Sequence, residues 1–229
     1  MKVIITAGGT SERIDDVRSI TNTSTGRLGL VIGQHLLAEY GDDIEQLYYV
    51  HGLRAQAPEG DNVTAIPVAG ARDLERELKN LLTTEKIDAV IHAMAVSDYM
   101  VKEVTTLDAI KSGGDTKLEG NKISSTIDDL TIILTKSPKV IGGIKQWSPD
   151  TVLVGFKLLS HVPHEELIEV GYNLLKKNDC SFVMANDLKG IGDGKHQGYL
   201  IHKDGTYDSM ETREEIAAMI GKRVWEECK

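Results

Sequence analysis

The chain has 229 residues, of which 41% are hydrophobic, 27% are charged and only 5% are aromatic, a composition that favours a parallel sheet covered by helices over a β-sandwich. The formal net charge of −9 argues against general binding of nucleic acids and against docking on anionic membranes. Cys180 and Cys228 form no CxxC pair, so neither a disulfide framework nor a zinc site is indicated, and we expect a reducing, cytoplasmic compartment.

The first half of the chain alternates short apolar runs with amphipathic stretches. The run that opens the chain is too short for a signal peptide or a membrane span. A polar, glycine-containing loop at 7–26 follows it, and a second irregular stretch is expected at 101–129. The patterns outside these two stretches predict strands at 2–6, 44–50 and 88–93 and helices at 26–40 and 72–84.

The second half continues the alternation and ends differently. The pair Ser137-Pro138 provides an N-cap and a first helical residue, and Thr212 with Glu215 forms a capping box for the last helix. Strands are predicted at 152–156 and 181–186, helices at 137–147, 163–178 and 212–228, and a hairpin at 199–210 that turns at Asp204-Gly205. We therefore expect one α/β domain over 1–229, a three-layer Rossmann-like sandwich with a mainly parallel central sheet and an antiparallel C-terminal hairpin.

Ligands of an open parallel sheet bind beyond the carboxyl ends of its strands. That rule selects TAGGTSERID, AMAVSDY, GFKLLSH and ANDLKG, with the helix start SPKV as a fifth candidate. TAGGT, followed by STGRLG, places glycines and hydroxyls before a helix, where backbone N–H groups and the helix dipole suit an anion. The spacing is neither GxGxxG nor GxxxxGK[ST], so a tight turn that packs strand against helix remains the alternative.

Four polar residues of these segments each allow two interpretations, and a fifth allows only one. Asn22 is a turn residue or a catalytic one, and Arg18 is a surface arginine or a clamp for a carboxylate or phosphate. Asp98 caps a helix, or it holds a magnesium ion or a ribose hydroxyl. Lys122 by itself indicates only a solvated lysine, and Lys157, at the end of a strand, snorkels to solvent or faces a ligand.

The opening segment MKVIITAGGTSERIDDVRSITNTSTGRLG resembles the start of the phosphopantothenoylcysteine synthetase family. AMAVSDY, NKISS, LTKSPKVI, VGFKL and MANDL follow in the family's order, so the resemblance covers residues 1–226. It implies a ligase that joins 4′-phosphopantothenate to L-cysteine in coenzyme A synthesis through an acyl-nucleotide. It further implies a nucleoside triphosphate as co-substrate, Mg²⁺ and a homodimer, to which the hairpin at 199–210 offers an edge.

The resemblance also implies roles for individual residues. Asn22 would bind the acyl-nucleotide and help convert it, Lys122 would support catalysis with the triphosphate, and Arg18 would cross to a neighbouring subunit's site. Asp98 would contact the nucleotide or its metal. Further contacts to nucleotide or substrate are implied for Gly8, Gly9, Ser24, Thr25, Gly26, Ala93, Ala95, Ser137, Pro138, Lys139, Val140, Ile141, Phe156, Lys157 and Lys177.

Two departures from the family pattern affect the nucleotide. Ser124 and Ser125 replace the second and third lysines of the family's Lys-Ile-Lys-Lys segment, and Lys157-Leu158-Leu159 resembles eukaryotic members, some of which prefer ATP. Many bacterial members are fused to a flavin-dependent decarboxylase, whereas this chain starts at the synthetase motif. The resemblance thus implies the standalone bacterial form, no flavin, and CTP ahead of ATP.

Two rival functions fit the same scaffold less well. A dinucleotide-dependent oxidoreductase needs GxGxxG and an acidic residue after the second strand, where the chain has GGT and YYVHG. A catalytically silent binding domain does not need Asn22, Asp98 and Lys122 together. For the ligase, we also expect the stretch 102–121 to act as a lid that shields the acyl-nucleotide from water.

Overall fold

The computed structural model describes residues 1–113, 118, 121–192 and 194–229. In those ranges the strands are β1 (Lys2–Ala7), β2 (Ser11–Arg13), β3 (Ser19–Thr21), β4 (Gln46–Gly52), β5 (Val63–Val68), β6 (Ala89–His92), β7 (Tyr99–Thr106), β8 (Leu130–Lys136), β9 (Val152–Leu159), β10 (Phe182–Asp187), β11 (Ile191–Gly192), β12 (Lys195–His196), β13 (Gly198–Ile201) and β14 (Tyr207–Met210). The helices are α1 (Arg27–Tyr40), α2 (Ala71–Thr84), α3 (Leu107–Ser112), α4 (Val140–Trp147), α5 (His164–Asn178) and α6 (Arg213–Glu227), with short 3₁₀ turns at Gly41–Asp43 and Leu188–Gly190.

Eight strands form the central sheet in the order β14-β13-β10-β9-β6-β1-β4-β5. The six from β10 to β5 are parallel, and β1 lies at the centre with Ile4 opposite Tyr48 on one side and Val90 on the other. The hairpin of β13 and β14 is antiparallel to them. The predicted fold class, a mainly parallel α/β sandwich with an antiparallel C-terminal hairpin, is confirmed.

The core consists of two layers, one on each face of the sheet. Neighbouring residues of a strand point to opposite faces, so Ile5 packs with Ile32 of α1 and Ile220 of α6, while Ile4 packs with Leu78 of α2 on the other side. Helices α4 and α5 complete the second layer. Because both faces are covered, the parallel strands other than the edge strand β5 are nearly continuous apolar runs, which is why the sequence reveals them. Within the described ranges, no helix is both long and apolar enough to cross a bilayer.

The prediction of an irregular stretch at 101–129 is wrong over much of its length. Strand β7 pairs antiparallel with β8 to form a two-stranded ribbon, with an irregularity between Val101 and Glu103, and α3 follows β7 directly. Most residues of the ribbon are only half-buried, and in β7 Lys102 and Glu103 interrupt the apolar residues. The first part of the expected lid is thus strand and helix, and its residues 114–117 and 119–120 lie outside the described residues.

Two helix starts differ from the prediction in detail. Helix α4 begins at Val140 with Lys139 as its N-cap, so Ser137 does not cap it. Its hydroxyl is instead buried, without a hydrogen-bond partner in the described chain. At α6 the Thr212 hydroxyl accepts the Glu215 N–H as predicted, but the Glu215 carboxylate accepts the N–H of Glu211, one residue before the cap.

Asp187, the last residue of β10, anchors the loops at the carboxyl end of the sheet. Its carboxylate accepts the backbone N–H groups of His161, Val162 and Lys189 at 2.8–2.9 Å. Burial by itself would raise the pKa of this carboxyl, but the three N–H donors outweigh burial and lower the pKa to about 2. The ionised form is therefore the one that the fold stabilises.

We predict that Asp187→Asn lowers the free energy of unfolding at neutral pH and that the difference from wild type shrinks as the pH falls. The pKa in the folded state lies below the ordinary value of 3.8, so the stabilisation is complete above about pH 4 and is lost as the pH falls towards about 2. Urea unfolding over this range measures the effect, with the exposed Asp42→Asn as the matched control. A difference independent of pH would contradict the prediction.

Candidate functional site

Backbone hydrogen bonds join the loop after β1 to the loop after β6. The Ala95 N–H donates to the Gly8 carbonyl at 2.8 Å, and the Thr10 N–H donates to the Ala95 carbonyl at 3.1 Å. The Thr10 hydroxyl then accepts the Ser97 N–H at 2.9 Å. The two segments that sequence analysis selected as TAGGT and AMAVSDY are therefore one structural unit at the carboxyl end of the sheet.

Asn22 is the side chain that completes this unit. Its N–H donates to the Thr10 carbonyl at 3.1 Å, and its Nδ2 donates to the Ala95 carbonyl at 2.8 Å. The residue is half-buried, so one side of the amide faces the joined loops and the other remains accessible. Asn22 is thus held in place by both loops, as a residue that acts on a bound ligand must be.

The close approach of these loops depends on glycines. A Cβ on Gly9 would lie 2.5 Å from the Asn22 carbonyl oxygen, and a Cβ on Gly52, the last residue of β4, would lie 2.4 Å from the Gly9 oxygen. Gly8 and Gly26 both have positive φ angles, 85° and 75°, which favour glycine. The tight-turn alternative is therefore correct for these glycines, and it does not conflict with a ligand site because the turn leads to a helix start.

That helix start is a candidate anion site. Helix α1 has Gly26 as its N-cap, with no side-chain hydrogen bond to its first turn. Ser24 and Thr25 are exposed just before it. A groove of about 550 Å³ opens beside them, with a lining that includes Thr25, Gly26, Arg27, Leu30, Val31, Gln34, Arg54 and Gln56. Two guanidinium groups and the positive end of a 14-residue helix favour a negatively charged ligand here.

Asp98, in the loop after β6, is joined to the segment before α4. The Ser137 N–H donates to the Asp98 carbonyl at 2.9 Å, and the Lys139 ammonium forms an ion pair with the Asp98 carboxylate. Both side chains are more than two-thirds exposed, so the pair adds little stability and each partner can exchange it for a ligand. In contrast, Val140 and Ile141 pack in the second core layer, and Pro138 is half-buried.

Arg18 and the backbone next to Lys122 meet at Asp15, a residue to which sequence analysis assigned no role. The Arg18 guanidinium donates to the Asp15 carboxylate and, at 2.8 Å, to the Ile123 carbonyl. Lys122 is exposed, whereas Ile123 beside it is buried. The hydrogen bond from Arg18 outweighs burial and holds the pKa of Asp15 well below its ordinary range. Asp15 is the last residue of the selected segment TAGGTSERID, but its bond to Ile123 could not be seen there. A crossing of Arg18 to a neighbouring subunit stays a prediction.

The other residues that sequence analysis predicted for the site lie in different parts of the fold. Ala93 donates its N–H to the Thr6 carbonyl at 3.1 Å and so begins the loop after β6. Phe156 packs against the first core layer, and Lys157 follows it near the end of β9. Lys177 lies exposed in the last turn of α5, the turn that leads to the amino end of β10. The other predicted residues gather at the carboxyl ends of the strands, so the structure does not bring Lys177 together with them within one chain, and its role as a binding residue stays a prediction.

The acidic groups around the site set limits on a metal. Among the described residues no group of three or more His, Cys, Asp or Glu side chains could hold an ion. Asp98 contributes one exposed carboxylate. Such a donor set fits a magnesium ion that arrives with the phosphates of a nucleotide and keeps most of its other ligands from phosphate and water.

A family model fits this sequence from end to end. The model of the DNA/pantothenate metabolism flavoprotein C-terminal domain matches residues 1–227. The chain belongs to this family. Two curated relatives are the coenzyme A biosynthesis bifunctional proteins CoaBC of Thermococcus kodakarensis, 30% identical over the whole of this chain, and of Borreliella burgdorferi, 30% identical over 96% of it. The chain spans about half the length of each, 51% in both cases.

Solved structures match the fold. A DNA/pantothenate metabolism flavoprotein from Streptococcus pneumoniae superposes with a TM-score of 0.87 at 34% identity, covering 99% of both chains. A mutant of Cab2 in complex with phosphopantothenate-cysteine superposes with a TM-score of 0.74 over 99% of this chain and 87% of its own. At 17% identity, the second match shows the fold alone.

We predict that Gly9→Ala destabilises this family member by about 1–3 kcal/mol, the usual cost of overpacking. The added methyl group would meet the Asn22 backbone rather than a side chain that can turn away. Denaturant unfolding measures the loss. Gly41→Ala is the matched control, because its Cβ would meet no atom within 4 Å and its φ of −54° suits alanine. Equal stabilities of the two variants would refute the close approach.

Proposed function

We propose that this chain joins 4′-phosphopantothenate to L-cysteine in the cytoplasm, through an acyl-nucleotide made from a nucleoside triphosphate. The family match and the CoaBC relatives support a place in coenzyme A biosynthesis, and the ligand of the Cab2 mutant, phosphopantothenate-cysteine, is the product of this reaction. The observation that carries the proposal is the bond from Asn22 to Ala95, which fixes a polar side chain beside the uncapped start of α1.

In the first step a carboxylate oxygen of phosphopantothenate attacks the α-phosphorus of the triphosphate, and pyrophosphate leaves. Negative charge grows on the phosphorus oxygens and on the leaving group, and fixed donors stabilise it. The first-turn N–H groups of α1 and the cations of Arg27, Lys122 and Lys139 would supply these donors. Asp98 would hold the magnesium ion, which shares the phosphate charge when bound.

In the second step the cysteine amine attacks the acyl carbon, the nucleoside monophosphate leaves, and the amide nitrogen loses a proton. Asn22 would orient the acyl group, because its amide is already held by two loops. The Ala95 carbonyl accepts the Asn22 amide N–H, so the bound acyl group would lie close to the Ala95 backbone. Water must be excluded during this step, since it would hydrolyse the acyl-nucleotide.

For the nucleotide we propose CTP ahead of ATP. Phe156 would pack on the base, and Lys157 would lie near the nucleotide. A side-by-side measurement of pyrophosphate release with phosphopantothenate, cysteine and either CTP or ATP tests both the reaction and the choice. Absence of pyrophosphate with every triphosphate would refute the ligase.

We also propose a homodimer. Strand β14 is an edge of the sheet and exposes Tyr207, and the ribbon of β7 and β8 exposes Tyr99 and Leu134. Exposed strands and apolar side chains of this kind favour pairing with a second copy. Sedimentation equilibrium is expected to give about twice the 25.1 kDa of one chain, and a mass of one chain at working concentration would contradict the dimer.

We predict that Asn22→Asp accumulates the acyl-nucleotide and slows amide formation. The substitution replaces the donor that bonds the Ala95 carbonyl with an anionic oxygen, so it repels that carbonyl and the residue no longer orients the acyl group for attack by the amine. Trapping of the radiolabelled acyl-nucleotide after a single turnover measures the effect. Asn80→Asp, on the exposed side of α2, makes the same change in charge and should behave as wild type. Normal turnover by Asn22→Asp would remove Asn22 from the mechanism.

A further inference from the structure

The backbone on both sides of Lys122 is tied to a turn more than one hundred residues earlier in the chain. The Asp16 N–H donates to the Asn121 carbonyl at 3.0 Å. The Ile123 N–H donates to the Asp15 carboxylate at 3.1 Å, and the Arg18 guanidinium donates to the Ile123 carbonyl at 2.8 Å. These three bonds hold residues 121 and 123 while they leave the Lys122 side chain exposed.

Asp15 is the centre of this arrangement. Its side chain is only 1% exposed, although it carries a charge. One carboxylate oxygen accepts the N–H groups of Val17 and Arg18 at 2.9 and 2.8 Å, and the other accepts the Arg18 guanidinium and the Ile123 N–H. A buried carboxylate with this many donors is expensive to disturb, because removal of its charge leaves several N–H groups unpaired.

We infer that Asp15 is a positioning residue for Lys122, and this inference rests on the proposed ligase function. Asp15 would act by fixing the backbone from which the lysine extends, so that the ammonium reaches the triphosphate in one orientation. It also fixes the Arg18 guanidinium against Ile123, so part of the effect of an Arg18 substitution would pass through Lys122. Asp15 itself does not touch the substrates in this scheme.

The decisive variant is Asp15→Asn, which keeps the shape but removes the charge and one acceptor oxygen. We expect kcat for pyrophosphate release to fall roughly 10- to 100-fold, the range expected when a catalytic group is misplaced by about 1 Å, with little change in KM. Asp16→Asn is the matched control, because its exposed carboxylate pairs with Arg13 and its backbone N–H is unchanged. An unchanged kcat for a folded Asp15→Asn enzyme would overturn the inference.

A double-mutant cycle separates positioning from general destabilisation. If Asp15 acts through Lys122, then Asp15→Asn added to Lys122→Ala lowers kcat no further. A purely structural role predicts the same fold-loss in both backgrounds, and that result would also overturn the inference. If Asp15→Asn fails to fold, Asp15→Glu serves in its place, because it keeps the charge but shifts the carboxylate.

Hydrogen exchange tests whether Asp15 holds the backbone at Ile123, and it requires no measurement of enzyme activity. The Ile123 amide is expected to exchange faster in Asp15→Asn than in wild type, and at the wild-type rate in Asp16→Asn. Equal protection in all three proteins would overturn the inference whether or not the ligase reaction occurs. If the wild-type protein released no pyrophosphate but the Ile123 amide lost protection in Asp15→Asn, the proposed function would be refuted. The hold of Asp15 on the Ile123 backbone would still be established.

Discussion

The close approach of three backbone segments at the carboxyl end of the sheet is the constraint on which the site depends. The loop after β1, the Asn22 segment and the loop after β6 are joined by hydrogen bonds of 2.8–3.1 Å between backbone groups and through one amide side chain. Helix α1 begins at Arg27, shortly after this junction, so the joined loops fix the position of its first N–H groups. The position of Asn22 and the direction of α1 are therefore set together.

The sequence predicts most of the central sheet because strands that are buried on both faces leave a recognisable apolar pattern. Parallel strands such as β1 and β10 are covered on both faces and are nearly continuous apolar runs. The β7–β8 ribbon stands outside the sheet with mixed burial, and β5 is an edge strand with Pro67 inside it and only Val68 fully buried. Charged residues interrupt β7 and Pro67 interrupts β5, and both the ribbon and β5 escape prediction.

The candidate site is predictable only in part, for a different reason. The rule that ligands lie beyond the carboxyl ends of strands places the loops of Gly9, Asn22 and Ala95 at one edge, and the structure brings these three together. Asp15 lies in the selected segment TAGGTSERID, but its bond to Ile123, 108 residues away, leaves no local pattern from which a role could be predicted. Similarity to a motif does not show at which edge of the sheet a helix ends, so the sequence could not place Lys177 near the amino end of β10.

The contacts of Gly9 and Gly52 also restrict how this sequence can change over time. A side chain at either position would meet backbone atoms, the Asn22 oxygen at 2.5 Å and the Gly9 oxygen at 2.4 Å. A Cβ on Gly143 would be just as crowded, but against the ring of Trp147, which a smaller residue would relieve. At Gly9 and Gly52 the obstructing atom is a backbone carbonyl oxygen, and no second substitution removes a backbone oxygen. Suppressor mutations should therefore be recoverable for a replaced Gly143 and absent for a replaced Gly9 or Gly52.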